Sequence, residues 1–371
     1  MDKRKISAIA IINILTFLIS FSYEMTFTVM PFFLVNALGV SMVVIGIIEG
    51  GYDLVSNLVK VLAGYWSDLF SRKKFLIAGI FMSIAARFYF IFGKKWDDIL
   101  MGTILDAVSD GTVVPVSDTI LSSEKKKSLG KTFGINRAIE SIGGFLGILT
   151  AFVYTAYFLD IPYQKYFYLS IIPLLIAAII VLFLPEYKPS GKKYRIPIIS
   201  WEMFFPKYLY LFFILSFANF GYSFYILKVY NQTSSEYKTV GIYVIFTLII
   251  AIASYLSGRF YDRLGEKRFL YLTIFLFFIS HLLMIGLPVV GFIIFAFADA
   301  FLEIGIWATV GKKVKFRKGF VFGTYHFIVG LSSLFAGVVA GYLWDTIDPE
   351  APFIMGSIAS IVAFILIRRF F

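Results

Sequence analysis

The 371-residue sequence contains no cysteine, which excludes disulfides, thiolate nucleophiles and cysteine-built metal sites. It has only two histidines, His281 and His326, 45 positions apart, so no histidine metal motif is present. Charge is also scarce. Charged residues make up 15% of a chain that is 59% hydrophobic and 19% aromatic, a balance that excludes a pair of soluble domains. The apolar runs do not alternate with polar residues, as the strands of a membrane barrel would.

What is present is a series of long apolar segments. A hydrocarbon core of about 30 Å needs about 20 apolar residues per helix. Segments of that kind fall at 6–36, 41–63, 75–93, 98–121, 132–158, 163–184, 207–230, 239–257, 269–286, 290–310, 320–344 and 351–368. The expected fold is therefore an all-α membrane protein with twelve transmembrane helices. Met1 to Lys5 ahead of the first run imitates a signal peptide, but the run is long and carries Glu24, so it reads as a retained first helix.

The +11 formal charge is a topology signal. Of 34 Lys and Arg residues, 26 fall on the side of the N-terminus, and only Lys94, Lys95, Lys165, Lys228 and Lys238 on the other. Positive loops stay inside, so both termini are expected in the cytoplasm of a cell-membrane protein, and nucleic acid is not an expected partner. The longest loop holds Pro185, Pro189, Ser190, Gly191 and Pro197 and reads as a linker. It divides the chain into an N-terminal six-helix bundle at 1–185, a cytoplasmic linker at 186–206 and a C-terminal six-helix bundle at 207–371.

The halves repeat each other. Gly64-Tyr-Trp-Ser-Asp68-Leu-Phe-Ser-Arg72-Lys73-Lys74-Phe75 reads as a polar turn between two spans, and Gly258-Arg-Phe-Tyr-Asp262-Arg263-Leu-Gly265-Glu-Lys-Arg-Phe269 copies it at an offset of 194. Gly130-x-x-Phe133-Gly134-x-x-Arg137 is likewise copied as Gly319-x-x-Phe322-Gly323-x-x-His326, at an offset of 189.

These two turns resemble the Gly-x-x-x-Asp-Arg-x-Gly-Arg-Lys loop of the major facilitator superfamily of secondary transporters and its weaker copy in the second half. Leu69 and Ser71 depart from that pattern, whereas Asp262-Arg263-Leu264-Gly265 keeps it. Span four, with Asp106, Asp110-Gly111-Thr112 and Asp118, is similar to drug-exporter-like members. Asn136 to Gly143, paired with His326, looks like another branch. The resemblance implies two pseudo-symmetric halves, alternating access, and a cytoplasmic gate built from Gly64, Asp68, Arg72, Lys73, Gly258, Asp262 and Arg263. Asp68 and Asp262 would pair there with Lys125 to Lys127 or Lys312 to Lys318.

Nine acids lie inside the spans against Lys60, Arg87 and Arg137. Each central charge costs about 2.5–3.5 kcal/mol to place in a bilayer, so these groups must face one another or water. Glu49/Asp53, Asp106/Asp110 and Asp299/Glu303 are four apart and are expected to stack as acid pairs. Burial beside a like charge favours the protonated carboxyl, the equipment of proton coupling or cation binding. The candidate substrate or proton path comprises Glu24, Asp53, Asp106, Asp110, Arg137, Glu140, Asn219, Asp299, Glu303 and His326. The family resemblance places Glu24, Asp110, Asn219 and Asp299 or Glu303 beside the central path. Glycine pairs such as Gly143/Gly147 and Gly337/Gly341 are expected to let helices approach closely.

Together these features predict a secondary active transporter and not an enzyme: a monomer in the lipid bilayer that exports a small organic, cationic or amphipathic molecule in exchange for protons. No cofactor and no resident metal is expected. An importer or uniporter of an anionic solute bound by Arg87 or Arg137, and a sensor or enzyme on the same fold, are the alternatives.

Overall fold

In the computed structural model the described residues are 3–69, 71–124, 129–158, 162–186, 211, 213–313 and 318–370. Within them, the side chains of 3–7, 64–69, 124, 129–130, 306–313, 318–325 and 370 are not described. The first six helices are α1 (Lys3–Phe32), α2 (Met42–Leu69), α3 (Arg72–Phe92), α4 (Trp96–Glu124), α5 (Leu129–Tyr157) and α6 (Tyr163–Ile180). They are followed by α7 (Tyr222–Thr233), α8 (Glu236–Gly286), α9 (Pro288–Lys313), α10 (Lys318–Thr346) and α11 (Ala351–Phe370). No strand occurs among the described residues. Among the described residues, ten helices are long and apolar enough to cross a membrane. α8 is two helices joined across a kink at Gly265, and they carry two of the expected spans, 239–257 and 269–286.

Local sequence explains the joints. Asp98, in the first turn of α4, accepts the Lys94 and Lys95 amides at 3.0 and 3.2 Å, satisfying donors that a helix start leaves unpaired. Ser234 closes α7 in the left-handed region (φ 49°), and α8 restarts two residues later.

The expected turn over 64–75 is far shorter in the structure. α2 stays helical through Gly64 to Leu69, and α3 begins at Arg72 after an extended Ser71 (φ −64°, ψ 116°). A mid-helix glycine costs only about 1 kcal/mol, so Gly64 does not stop α2, which runs on to Leu69. The second copy is helical on both sides of one residue, Gly265 (φ 73°, ψ 165°).

The chain forms two compact units: Met1–Gly39 with Val55–Ile196, and Val40–Leu54 with Pro197–Phe371. Val40–Leu54, which the sequence places in the first half, thus groups with the second unit. Of the linker 186–206, all but Glu186 lies outside the described residues.

The core of the first unit joins Ile12 and Leu15 of α1, Leu76 and Ile80 of α3, Val116 and Ile120 of α4, and Leu174 and Ala177 of α6. α1 meets α5 on glycines. A Cβ on Gly147 would lie 2.5 Å from the Phe21 carbonyl oxygen, and one on Gly143 would strike the Phe17 carbonyl, so only glycine permits this approach. The second unit is built around rings. Tyr225 stacks on Phe295 with centroids 3.9 Å apart, and Phe246 on Phe292 at 4.1 Å. Apolar side chains that stay exposed, such as Ile179, Phe275 and Ile365, are covered by the bilayer of a multi-pass membrane protein.

Candidate functional site

The internal acids separate into clusters, each within one unit. In the first unit, Arg87 of α3 is fully buried and donates from Nη1 to Asp106 Oδ2 at 2.9 Å. Ser83 Oγ donates to the other Asp106 oxygen at 2.5 Å, and Arg87 Nε reaches Ser22 Oγ of α1 at 3.3 Å. Asp106 is thereby neutralised within the helix packing. One turn away, Asp110 makes a half-buried ion pair with Lys60 Nζ at 2.8 Å and accepts from Ser56 Oγ at 2.6 Å.

The expected stacking is therefore corrected for Asp106 and Asp110. Asp106 and Asp110 share a helix but turn to different cations on different helices, because each charge finds more stabilisation from a donor than from a like charge. Glu49 and Asp53 take different hydroxyl partners, yet their charges stay close enough to repel, as do those of Asp299 and Glu303. Glu49 accepts from the Ser223 amide at 3.1 Å and from Ser223 Oγ at 2.5 Å, whereas Asp53 accepts from Ser333 Oγ at 2.6 Å.

Arg137 and Glu140 form an ion pair at 2.6 Å on α5, and the second guanidinium nitrogen reaches Asp118 of α4 at 3.4 Å. This cluster is half exposed. Glu24 of α1 is partly buried and has no hydrogen bond or ion pair among the described residues. Its stem passes over the glycine face of α5: a Cβ on Gly144 would lie 3.2 Å from Glu24 Cγ, and one on Gly147 3.0 Å from Glu24 Cβ.

In the second unit, Asn219 Nδ2 donates to Asp299 Oδ1 at 3.0 Å and Tyr222 Oη to Asp299 Oδ2 at 2.5 Å. Glu303 is exposed one turn along α9, and His326 is partly buried on α10. His281, by contrast, is fully buried between Tyr225 Oη at 2.9 Å and the Phe277 carbonyl at 2.6 Å.

Of the gate residues, Gly64 and Asp68 lie in the last turns of α2, where side chains are not described. Lys73 Nζ donates to the Leu182 carbonyl at 2.6 Å, and Arg72 is partly buried beside it in sequence. Gly258 has open space around it, and Asp262 and Arg263 are exposed. The expected partners Lys125 to Lys127, and the side chains of Lys312 to Lys318, lie outside the described residues.

Tyr222, Ser223, Ser56 and Ser83 were not legible as site partners. For the first two a signal exists: Asn219-Phe220-Gly221 inside an apolar run is a turn sequence, and a break there exposes the residues that follow it.

The Major Facilitator Superfamily pattern matches residues 12–335 and 242–371. The chain is 28% identical to an uncharacterized MFS-type transporter of Methanocaldococcus jannaschii, over 99% of this chain and 95% of that protein. It is 24% identical to Multidrug resistance protein 2 of Bacillus subtilis, over 90% and 88% of the two chains. Among solved structures, a mutant of the nucleoside transporter NupG superposes with a TM-score of 0.84 at 14% identity, over 98% of this chain and all of that one. With its helices, its duplicated motifs and a match along nearly its whole length, the chain belongs to the major facilitator superfamily and is one of its multi-pass membrane transporters.

Proposed function

We propose that the protein is a proton-coupled secondary transporter that exports a small organic molecule, cationic or amphipathic, by alternating access. It works as a monomer in the cell membrane with both termini in the cytoplasm, and the halves that rock are 1–185 and 207–371, joined by 186–206. The observation that carries this reading is a contrast among the acids. Asp106 and Asp110 hold Arg87 and Lys60, but Glu24 in one unit and Asp299 in the other meet no cation among the described residues. An acid in an apolar surrounding without a counter-ion is poised to take a proton or a cationic cargo. The multidrug resistance relatives support export.

The test is flux in liposomes. An imposed pH gradient drives export of a fluorescent organic cation, and Glu24→Gln or Asp299→Asn abolishes the drive while the folded protein is retained. Flux of equal size without a gradient would point to uniport, and absence of flux across a cargo panel would sink the transporter chemistry proposed here.

A further inference from the structure

The seventh apolar span does not run straight. After a helical stretch at 213–216, the Phe217, Ala218 and Asn219 amides make tight bonds to Ile214, Leu215 and Ser216 carbonyls at 2.9–3.1 Å, and the helix stops until Tyr222. Gly221 at the restart has φ 118°, a conformation side chains rarely adopt, and no side chain of its own to cap α7. The cap comes from another helix. Glu49 of α2 accepts both the Ser223 amide and the Ser223 hydroxyl, and a Cβ on Gly221 would fall on its carboxylate. An anion at that point satisfies a helix donor and complements the positive end of α7. From the other side, Asp299 of α9 holds Asn219 and Tyr222. Residues 219–223, whose backbone no continuous helix ladder fixes, are thus held by two carboxylates from two helices, Glu49 on the Ser223 amide and hydroxyl and Asp299 on the Asn219 and Tyr222 side chains.

The stretch that bears Glu49 is itself seated on the second unit. Asp345 of α10 accepts the Met42 and Val43 amides, both at 3.0 Å, and Asp53 accepts from Ser333. Between these rungs α2 and α10 touch backbone to backbone: a Cβ on Gly337 would lie 2.9 Å from the Gly46 carbonyl oxygen, and one on Gly46 would strike the Gly337 carbonyl. From Val55 onward α2 belongs to the first unit. One helix therefore serves two bodies.

We propose that residues 219–223 couple the seating of Val40–Leu54 to the state of Asp299. When α2 is seated, Glu49 caps α7 and fixes Tyr222 and Asn219 on Asp299. When α2 withdraws, the cap is lost, the break rearranges and the two donors leave the carboxylate. A proton or cation on Asp299 biases the seat, and the seat biases Asp299, because coupling between two sites is reciprocal. Both carboxylates touch one segment, residues 219–223, and two arrangements of that segment would carry the coupling. Glu49 and Ser223 are positioning residues. The proposal rests on the reading of Asp299 as a proton or cargo site.

The absence of native cysteine makes the test direct. Spin labels on Ser41→Cys and Ile347→Cys, both exposed and at the two sides of the seat, report seated and withdrawn α2 as short and long distances in liposomes without cargo. Asp299→Asn, which imitates the protonated acid, shifts the ratio of the two populations at least about fivefold. In Glu49→Gln and in Ser223→Ala that response to Asp299→Asn disappears; the serine variant leaves the carboxylate in place should the glutamate variant fold poorly. A ratio that responds equally in all backgrounds, or in none, overturns the coupling. Gradient-driven flux in the same liposomes separates the two ideas. Coupled distances with gradient-independent flux sink proton drive alone, and driven flux with uncoupled distances sinks the coupling alone.

Discussion

Ser71 and Gly265 stand at equivalent places in the two motif copies, 194 positions apart, yet Ser71 is extended at φ −64° and Gly265 has crossed to φ 73°. The first copy can carry serine in place of a second glycine because its backbone there is open to any residue. The second kept it because its ψ of 165° at positive φ is open almost only to glycine.

Exchanging them should be asymmetric. Gly265→Ala adds a side chain that meets no neighbour, since nothing lies within 4 Å of its position, and so isolates the backbone cost, about 1–3 kcal/mol. Ser71→Gly should cost under about 1 kcal/mol, because its chain-entropy cost is offset by removal of a buried hydroxyl that has no hydrogen-bond partner among the described residues. Thermal unfolding of both variants in detergent checks the order, and an equal loss would refute it.

Arg87 and Asp106 make the second case. Removing one partner leaves a buried charge, so Asp106→Asn or Arg87→Met should each cost about 3–5 kcal/mol. Arg87→Met with Asp106→Leu should recover most of that loss. A double variant as unstable as the singles would mean that the pair does more than neutralise itself.

Glu24 rests on two glycines that ought to behave differently. An Ala at Gly144 would meet Ser20 Oγ at 3.1 Å and Glu24 Cγ at 3.2 Å, both movable side-chain atoms. An Ala at Gly147 would meet the Phe21 carbonyl at 2.5 Å, which is backbone, and should cost about 1–3 kcal/mol by forcing α1 from α5. Stability measured alongside cargo flux distinguishes loss of the helix contact from displacement of Glu24.

For the paired motif, Asp68→Ala and Asp262→Ala are each expected to slow turnover severalfold while leaving cargo affinity within about twofold, the pattern of a gate worth about 1 kcal/mol per wet contact. Unchanged turnover in both would remove the gate from the cycle.

The fold was largely legible because apolar length reports directly on the bilayer. The joints between spans are less legible than the spans: 239–257 and 269–286 are two helices that meet at the single non-helical residue Gly265, and the 64–75 motif is mostly helix. Acid positions were legible too, since charge in an apolar run is conspicuous. Their partners were not. Nothing in the spacing of Asp106 and Asp110 says that one meets Arg87 and the other Lys60, because the choice depends on how α3, α4 and α2 rotate about their axes. Hydroxyl partners such as Ser223 and Ser83 carry no signal in composition at all.

The buried Arg87–Asp106 pair also bears on how the chain is made. Each charge entering the bilayer alone would meet lipid before it met its partner, at about 2.5–3.5 kcal/mol apiece. They sit on α3 and α4, consecutive helices joined by three residues, Gly93 to Lys95, so the two can cross as a single hairpin already paired. Insertion as such a hairpin has no stage at which a lone guanidinium must wait in hydrocarbon, and the short α3–α4 joint keeps the two charges close in sequence as well as in the finished fold.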